Sequence, residues 1–177
     1  MYLDILAGIF IGLTASMASG LPSGELIMFA VAAALAPDID FIVYLIRHRG
    51  QVGKYAHEHR DLFHRPLLVS GLGGALIAFL VSPIHGIIWF LGTLWHFVHD
   101  TFDGGFGIRW LDPFYPGYFT LASYSPQRHF KNKTEQRAIA TEYGNPQNWW
   151  LVRWDKKRLL YRILFTLLLG LVAYLVR

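Results

Sequence analysis

Residues 83–103 read PIHGIIWFLGTLWHFVHDTFD, an apolar run that ends in a cluster of histidines and aspartates. On a helix, side chains three and four positions apart share a face, so His96 lies beside His99 and Asp100, and His99 lies beside Asp103. Ionisable side chains at the edge of a membrane helix are costly and usually mark a functional site. The stretch therefore predicts a membrane helix that carries a functional cluster at one end.

Four further segments have the composition of membrane helices. Together with residues 84–97, the apolar segments cover residues 3–18, 25–36, 66–81 and 159–176. Each is near or below the roughly 17–25 residues that cross a bilayer, and the second needs residues 41–46 or neighbouring protein to complete it. The 177-residue chain is 54% hydrophobic and 16% charged, whereas soluble domains carry about 25% charged residues. We expect an all-α fold, with residues 1–177 forming a single polytopic membrane bundle of about five helices.

Two polar stretches, residues 47–65 and 102–158, separate these segments. If all five segments span the membrane, both polar stretches fall on one side. Of the 16 Lys and Arg residues, only Arg177 then lies on the other side. The positive-inside rule makes the basic side cytoplasmic. The expected location is the cell inner membrane, with a cytoplasmic N-terminus, an external C-terminus, and residues 102–158 as a cytoplasmic-side insertion before the last helix.

Three separate pieces of sequence bring metal-ligand side chains to this cytoplasmic border. They are the two aspartates after the second segment, the histidines of the first polar stretch, and the cluster quoted above: Asp38 and Asp40; His57, His59 and His64; His96 and Asp100. Mixed imidazole and carboxylate sites suit zinc, manganese or iron better than calcium. The chain has no cysteine, which excludes thiolate ligands. The candidates outnumber the three protein ligands of a mononuclear catalytic zinc, so one or two ions are expected.

Each piece alone also has a structural interpretation. Asp38 and Asp40 could cap a helix that begins at Phe41, because aspartate is a favoured N-cap residue. The loop histidines could be solvated, and His96 with Asp100 could form a buried hydrogen-bonded pair. Their coincidence on one side of the membrane favours the metal site.

The blocks Pro37-Asp-Ile-Asp40, His59-Arg-Asp-Leu-Phe-His64 and His96-Phe-Val-His-Asp100 resemble those of a bacterial and archaeal family, the membrane-bound metal-dependent hydrolases. That family carries PDxD, HRxxxH and HxxxD blocks, and the resemblance covers roughly residues 1–115 in order. It implies that the metal ligands are Asp38, Asp40, His59, His64, His96 and Asp100. Asp61 and Arg65 replace a Gly and a Ser of the family pattern, which alters the surroundings of the ligands.

The residues and the resemblance together predict a metal-dependent hydrolase at the membrane–cytoplasm interface. We expect it to cleave a phosphoester of a lipid or membrane-associated substrate through a metal-activated water, with zinc preferred over manganese or iron. His99 and Asp103 are expected to orient ligands or shuttle protons, although His99 could itself be a ligand. Arg60 and Arg65 flank ligand histidines, and they either bind phosphate or serve as charges at the membrane surface.

The same residues also bear on function classes other than a hydrolase. The alternative is a non-catalytic membrane protein with a structural metal site, which would dock a cytoplasmic partner. A metal transporter is disfavoured because the cluster lies at one membrane border rather than near the midplane. No nucleic-acid partner is expected, since the basic residues follow membrane topology. The small-residue face formed by Gly71, Gly74 and Ala78 would pack within the chain or in an oligomer.

Overall fold

The computed structural model describes residues 2–50, 63–103, 107–121 and 134. These residues are mostly helical and contain no β-strand, and their β pairing is limited to an isolated antiparallel bridge between Ile108 and Phe119. The elements are α1 (Tyr2–Ser19), α2 (Ser23–Leu35), a 3-10 turn (Ala36–Asp38), α3 (Ile39–Arg47), a π-helical turn (Leu67–Leu72), α4 (Gly73–Leu80) and α5 (Pro83–Asp103). The prediction of an all-α protein is confirmed for the described part of the chain.

Two helical stretches in the described residues are long and apolar enough to cross a membrane. They are Tyr2–Ser19, with a mean hydropathy of 1.5, and Ser23–Arg47, which has 25 residues and a mean hydropathy of 2.1. The second stretch runs through the 3-10 turn, where Pro37 fits because the first helical turn needs no backbone N–H donor. The second apolar segment is thus completed by the residues of α3, as expected from its length. The span count and the insertion stay predictions, since residues 122–133 and 135–177 lie outside the described part.

Close helix contacts hold α2 between α1 and α5. A Cβ at Gly8 would lie 2.6 Å from the Cα of Val31, so only glycine permits this approach of α1 to α2. Leu26, Ala30 and Ile88 form the buried core where α2 meets α5. Outward-facing side chains are apolar as well, and Phe79 is 86% exposed. A surface rich in exposed large apolar side chains suits lipid contact rather than water.

The segment after His64 is fixed to α5 by two polar contacts inside the bundle. Trp89 Nε1 donates to the carbonyl of Val69 at 2.8 Å, and the Thr93 hydroxyl donates to Ser70 Oγ at 2.8 Å. A π-helical turn shifts backbone carbonyls out of the usual helical pattern and is often found beside functional sites. This turn begins three residues after His64 and packs that part of the chain against α5.

Two other features concern the ends of α4 and α5. Of the predicted small-residue face, Gly74 packs against Phe90 of α5, and Ala78 would meet a Cβ placed at Gly86, so these two positions serve packing within the chain. The segment 107–121 folds back over the end of α5. Leu121 N donates to the carbonyl of Thr101 at 2.8 Å.

Candidate metal centre

Ligand-type side chains from α1, the 3-10 turn, α3, the residues before the π-helical turn and α5 meet at one end of the described bundle. Asp4 lies in the first turn of α1, Asp38 in the 3-10 turn and Asp40 in α3. His64 precedes the π-helical turn, and the last turns of α5 carry His96, His99 and Asp100. His64 and His96 are buried, as are Asp4, Asp40 and Asp100. Such a concentration of buried acids and imidazoles requires compensating charge or protons.

His64 is held between two carboxylates. Its Nδ1 lies 2.9 Å from Asp40 Oδ2, and its Nε2 lies 3.3 Å from Asp100 Oδ2. Since a carboxylate oxygen accepts, the Nδ1–H donates to Asp40, and this bond fixes the ring. The Nε2 atom is thereby directed at Asp100.

His96 repeats this arrangement with a different acceptor. Its Nδ1 lies 2.9 Å from the backbone carbonyl oxygen of Ala34, which can only accept, so Nδ1 carries a proton. Its Nε2 lies 3.6 Å from Asp38 Oδ1 and 3.6 Å from Asp100 Oδ2. Within the described residues, this buried Nε2 atom makes no hydrogen bond.

The facing atoms of the two histidines and their carboxylates fit around a cation. If each Nδ1 holds the only proton of its ring, each Nε2 presents a lone pair to carboxylate oxygens. The nitrogen lone pair and the negatively charged oxygens then repel each other unless a cation lies between them. The separations of 3.3–3.6 Å exceed the roughly 2.7–2.9 Å of a charge-assisted hydrogen bond. They match the roughly 3.3–3.6 Å between ligand atoms around a tetrahedral zinc with bonds of about 2.0–2.2 Å.

Asp38, His64 and His96 together could hold a metal ion. Each offers one ligand atom, and these atoms lie within 4.8 Å of one another. Asp100 contacts both imidazole Nε2 atoms and stands beside this group. The Asp38 side chain is 37% exposed and that of Asp100 only 10%, so the group is open on the side of Asp38.

The two aspartates that follow the second apolar segment make different contacts in the structure. Asp38 precedes α3 at the N-cap position but makes no side-chain capping hydrogen bond, so capping does not account for it. Asp40 is predicted to be a metal ligand. In the structure its Oδ2 accepts a hydrogen bond from His64 Nδ1, and the backbone nitrogen of Phe63 lies 3.4 Å from the same oxygen. Asp40 therefore contacts the His64 ring on the side away from Asp100.

Asp4 is a member of this cluster that sequence reasoning missed. Its Oδ1 lies 3.2 Å from His99 Nδ1 and 3.8 Å from His96 Nδ1. The available signal was a lone acidic residue in the first turn of an apolar helix, on the same side as the other ligands. The role of His99 stays a prediction, and Trp95 stacks on its ring with centroids 6.4 Å apart.

The remaining predicted site residues are placed as follows. The Arg65 side chain is 31% exposed, and its Nη1 lies 3.3 Å from Asp112 Oδ2. Its phosphate-binding role stays a prediction. Asp103 is the last residue of α5, but its side chain lies outside the described part. His59 and Arg60 also lie outside the described residues. His85 sits at the opposite end of α5, where its Nδ1 lies 2.7 Å from Ser82 Oγ, in agreement with its exclusion from the cluster.

Comparison with known proteins identifies the family. A family model described as YdjM inner membrane protein matches residues 4–177. No curated protein and no solved structure matches the chain. The family match and the two apolar helices support a membrane location, and they leave the hydrolase prediction untested. Because the family model covers nearly the whole chain, this protein belongs to the YdjM inner membrane protein family.

Proposed function

We propose that this protein is a metal-dependent hydrolase whose metal centre is formed by His64, His96 and Asp38, with Asp100 beside them. We further propose that it cleaves a phosphoester of a lipid or membrane-associated substrate. The observation that carries the proposal is the approach of two buried imidazole Nε2 atoms to aspartate oxygens at 3.3–3.6 Å. This spacing suits a shared cation better than direct hydrogen bonds.

With Asp100 beside the metal rather than bound to it, the three donors His64, His96 and Asp38 suit a catalytic rather than a structural centre. Catalytic zinc sites keep three protein ligands, often two histidines and a carboxylate, whereas structural sites are closed by four. The same set also binds iron(II), so zinc is the first candidate and manganese or iron are alternatives, with one or two ions. When bound, such a cation activates water and neutralises charge on an ester oxygen.

The chain's own residues prepare the site for this chemistry. Asp40 and the Ala34 carbonyl fix the two histidine rings through Nδ1, so that both rings keep their orientation. The partly exposed side of Asp38 leaves a path for substrate and water. Arg65 follows His64 in the sequence and pairs with Asp112, and it is a candidate for binding a phosphate oxygen.

An amphiphilic substrate fits the surface beside the opening. Asp38 leads directly into α3, whose side chains Ile39, Ile42 and Ile46 are exposed. Spacings of three and four residues place these side chains on one helix face. A molecule whose polar group reaches Asp38 can therefore lay an apolar part along α3, as a lipid phosphoester would. The proposed topology has about five spans and a cytoplasmic N-terminus, which puts the centre at the cytoplasmic border.

The test is hydrolysis by the purified full-length protein with added zinc or manganese. The substrates are phosphatidate, a polyprenyl phosphate and a soluble aryl phosphate. The His64→Ala, His96→Ala double variant should lose at least about 100-fold in rate, because both imidazole donors are removed. His85→Ala is the matched control, since it removes a histidine at the far end of α5. Activity that survives chelation in the double variant would refute the metal mechanism. Bound metal without hydrolysis of any substrate would favour the structural alternative.

A further inference from the structure

Asp4 is a charged side chain that the proposed chemistry leaves without a role. It is the single charged residue of α1, whose sequence is YLDILAGIFIGLTASMAS, and it is 0% exposed. Burying a carboxylate in a helix of membrane composition is expensive unless it has a specific partner. Such a residue therefore points to a function rather than to simple packing.

The partners of Asp4 are two imidazoles of the metal-centre cluster. Its Oδ1 lies 3.2 Å from Nδ1 of His99 and 3.8 Å from Nδ1 of His96. The carboxylate thus stands behind His96, on the side of the ring away from Nε2. This is the side from which Asp40 contacts the other ligand ring, that of His64.

We propose that Asp4 is a positioning residue of the metal centre, a carboxylate behind the ligands that raises the affinity for a divalent cation. Its negative charge makes the His96 ring a stronger donor, and its bond to His99 holds that ring beside the ligand pair. Because Asp4 comes from α1 and both histidines come from α5, metal affinity then depends on how α1 docks. This inference rests on the metal centre of the proposed function.

A purely structural role makes a different prediction. If Asp4 only docks α1 through its bond to His99, its loss weakens the fold with and without metal alike. If Asp4 supports the metal centre, its charge matters chiefly when metal is bound. Asn is nearly isosteric with Asp and its carbonyl oxygen can still accept from His99, so Asp4→Asn removes the charge and keeps the bond.

The experiment measures the zinc dissociation constant of full-length protein in detergent, by competition with a fluorescent chelator. The melting temperature is measured in parallel in the presence of a chelator. For Asp4→Asn we expect zinc binding weaker by about 10- to 100-fold, the usual effect of losing such a carboxylate, with an unchanged metal-free melting temperature. Glu25→Gln is the matched control, because it removes an exposed carboxylate that pairs with His85 and should leave zinc binding unchanged.

Asp4→Ala keeps the inference testable if Asp4→Asn does not fold, since alanine is small and apolar and has the highest helix propensity. It should bind zinc at least as weakly as Asp4→Asn. Zinc binding within twofold of wild type in either variant overturns the role of Asp4 while leaving the metal centre intact. A wild-type protein that binds no zinc, manganese or iron overturns the metal centre and this inference together.

Discussion

Replacing Asp40 tests whether this residue is a ligand or orients one. The bond from His64 Nδ1 to Asp40 Oδ2 is 2.9 Å long and fully inside the protein. Asp40→Asn keeps an acceptor for Nδ1–H but removes the charge that strengthens His64 as a donor. The loss of such a carboxylate costs about 10- to 100-fold in metal affinity, which is about 1.4–2.7 kcal/mol of binding free energy.

Asp40→Leu adds a second effect that can be measured separately. Leucine leaves the buried Nδ1–H of His64 without this acceptor, which costs about 1–3 kcal/mol of folding free energy. We therefore expect Asp40→Asn to weaken zinc binding with little change in metal-free stability, and Asp40→Leu to lower both. The assay pairs chelator competition for zinc with thermal unfolding in a chelator, and Glu25→Gln again serves as the control.

Two results would refute this reasoning. Zinc binding by Asp40→Asn within twofold of wild type would show that the contact with His64 does not support a metal. A loss far beyond about 100-fold would show that Asp40 binds the metal directly, as the family resemblance implies.

Three further predictions follow from the packing around the centre. Zinc at about 100 times its dissociation constant should stabilise the protein by about 2.7 kcal/mol, or about 5–11 °C in melting temperature, and the double histidine variant should show no such shift. Gly8→Leu should destabilise the protein by about 1–3 kcal/mol in thermal unfolding because α1 cannot approach α2, whereas Gly24→Ala, with open space around its Cβ, should not. Thr93→Val removes a buried hydroxyl that bonds across to the π-helical turn, and should cost about 1 kcal/mol with unchanged zinc affinity. Wild-type-like melting of Gly8→Leu would contradict the packing role of Gly8, and impaired zinc binding in Thr93→Val would contradict a role of Thr93 in packing alone.

Helical spacing was sufficient to predict the part of the site that lies on one element. His96 and Asp100 are four residues apart, and the structure places His96 Nε2 3.6 Å from Asp100 Oδ2. The coincidence of three polar blocks on one side also led to Asp38 and His64, which the structure brings together with His96. Both inferences need only periodicity and the side of the membrane on which each segment ends.

The sequence alone could not predict the contacts between helices. The acceptor for His96 is the backbone carbonyl of Ala34, and no side-chain pattern reports a carbonyl. The contact of Asp4 with α5 depends on how closely α1 packs on α2, which the glycines permit but do not specify. Likewise, Asp38 and Asp40 look equivalent in sequence. They differ because one closes a 3-10 turn and the other lies in the first turn of α3.

The central claim is that a divalent metal binds between His64, His96 and Asp38. The most direct measurement is an anomalous difference map at the zinc absorption edge, from crystals of the full-length protein grown with zinc. The account predicts a peak about 2.0–2.2 Å from Nε2 of both histidines and from a carboxylate oxygen of Asp38. Zinc bound elsewhere on the protein, with no peak between these three side chains, would contradict it.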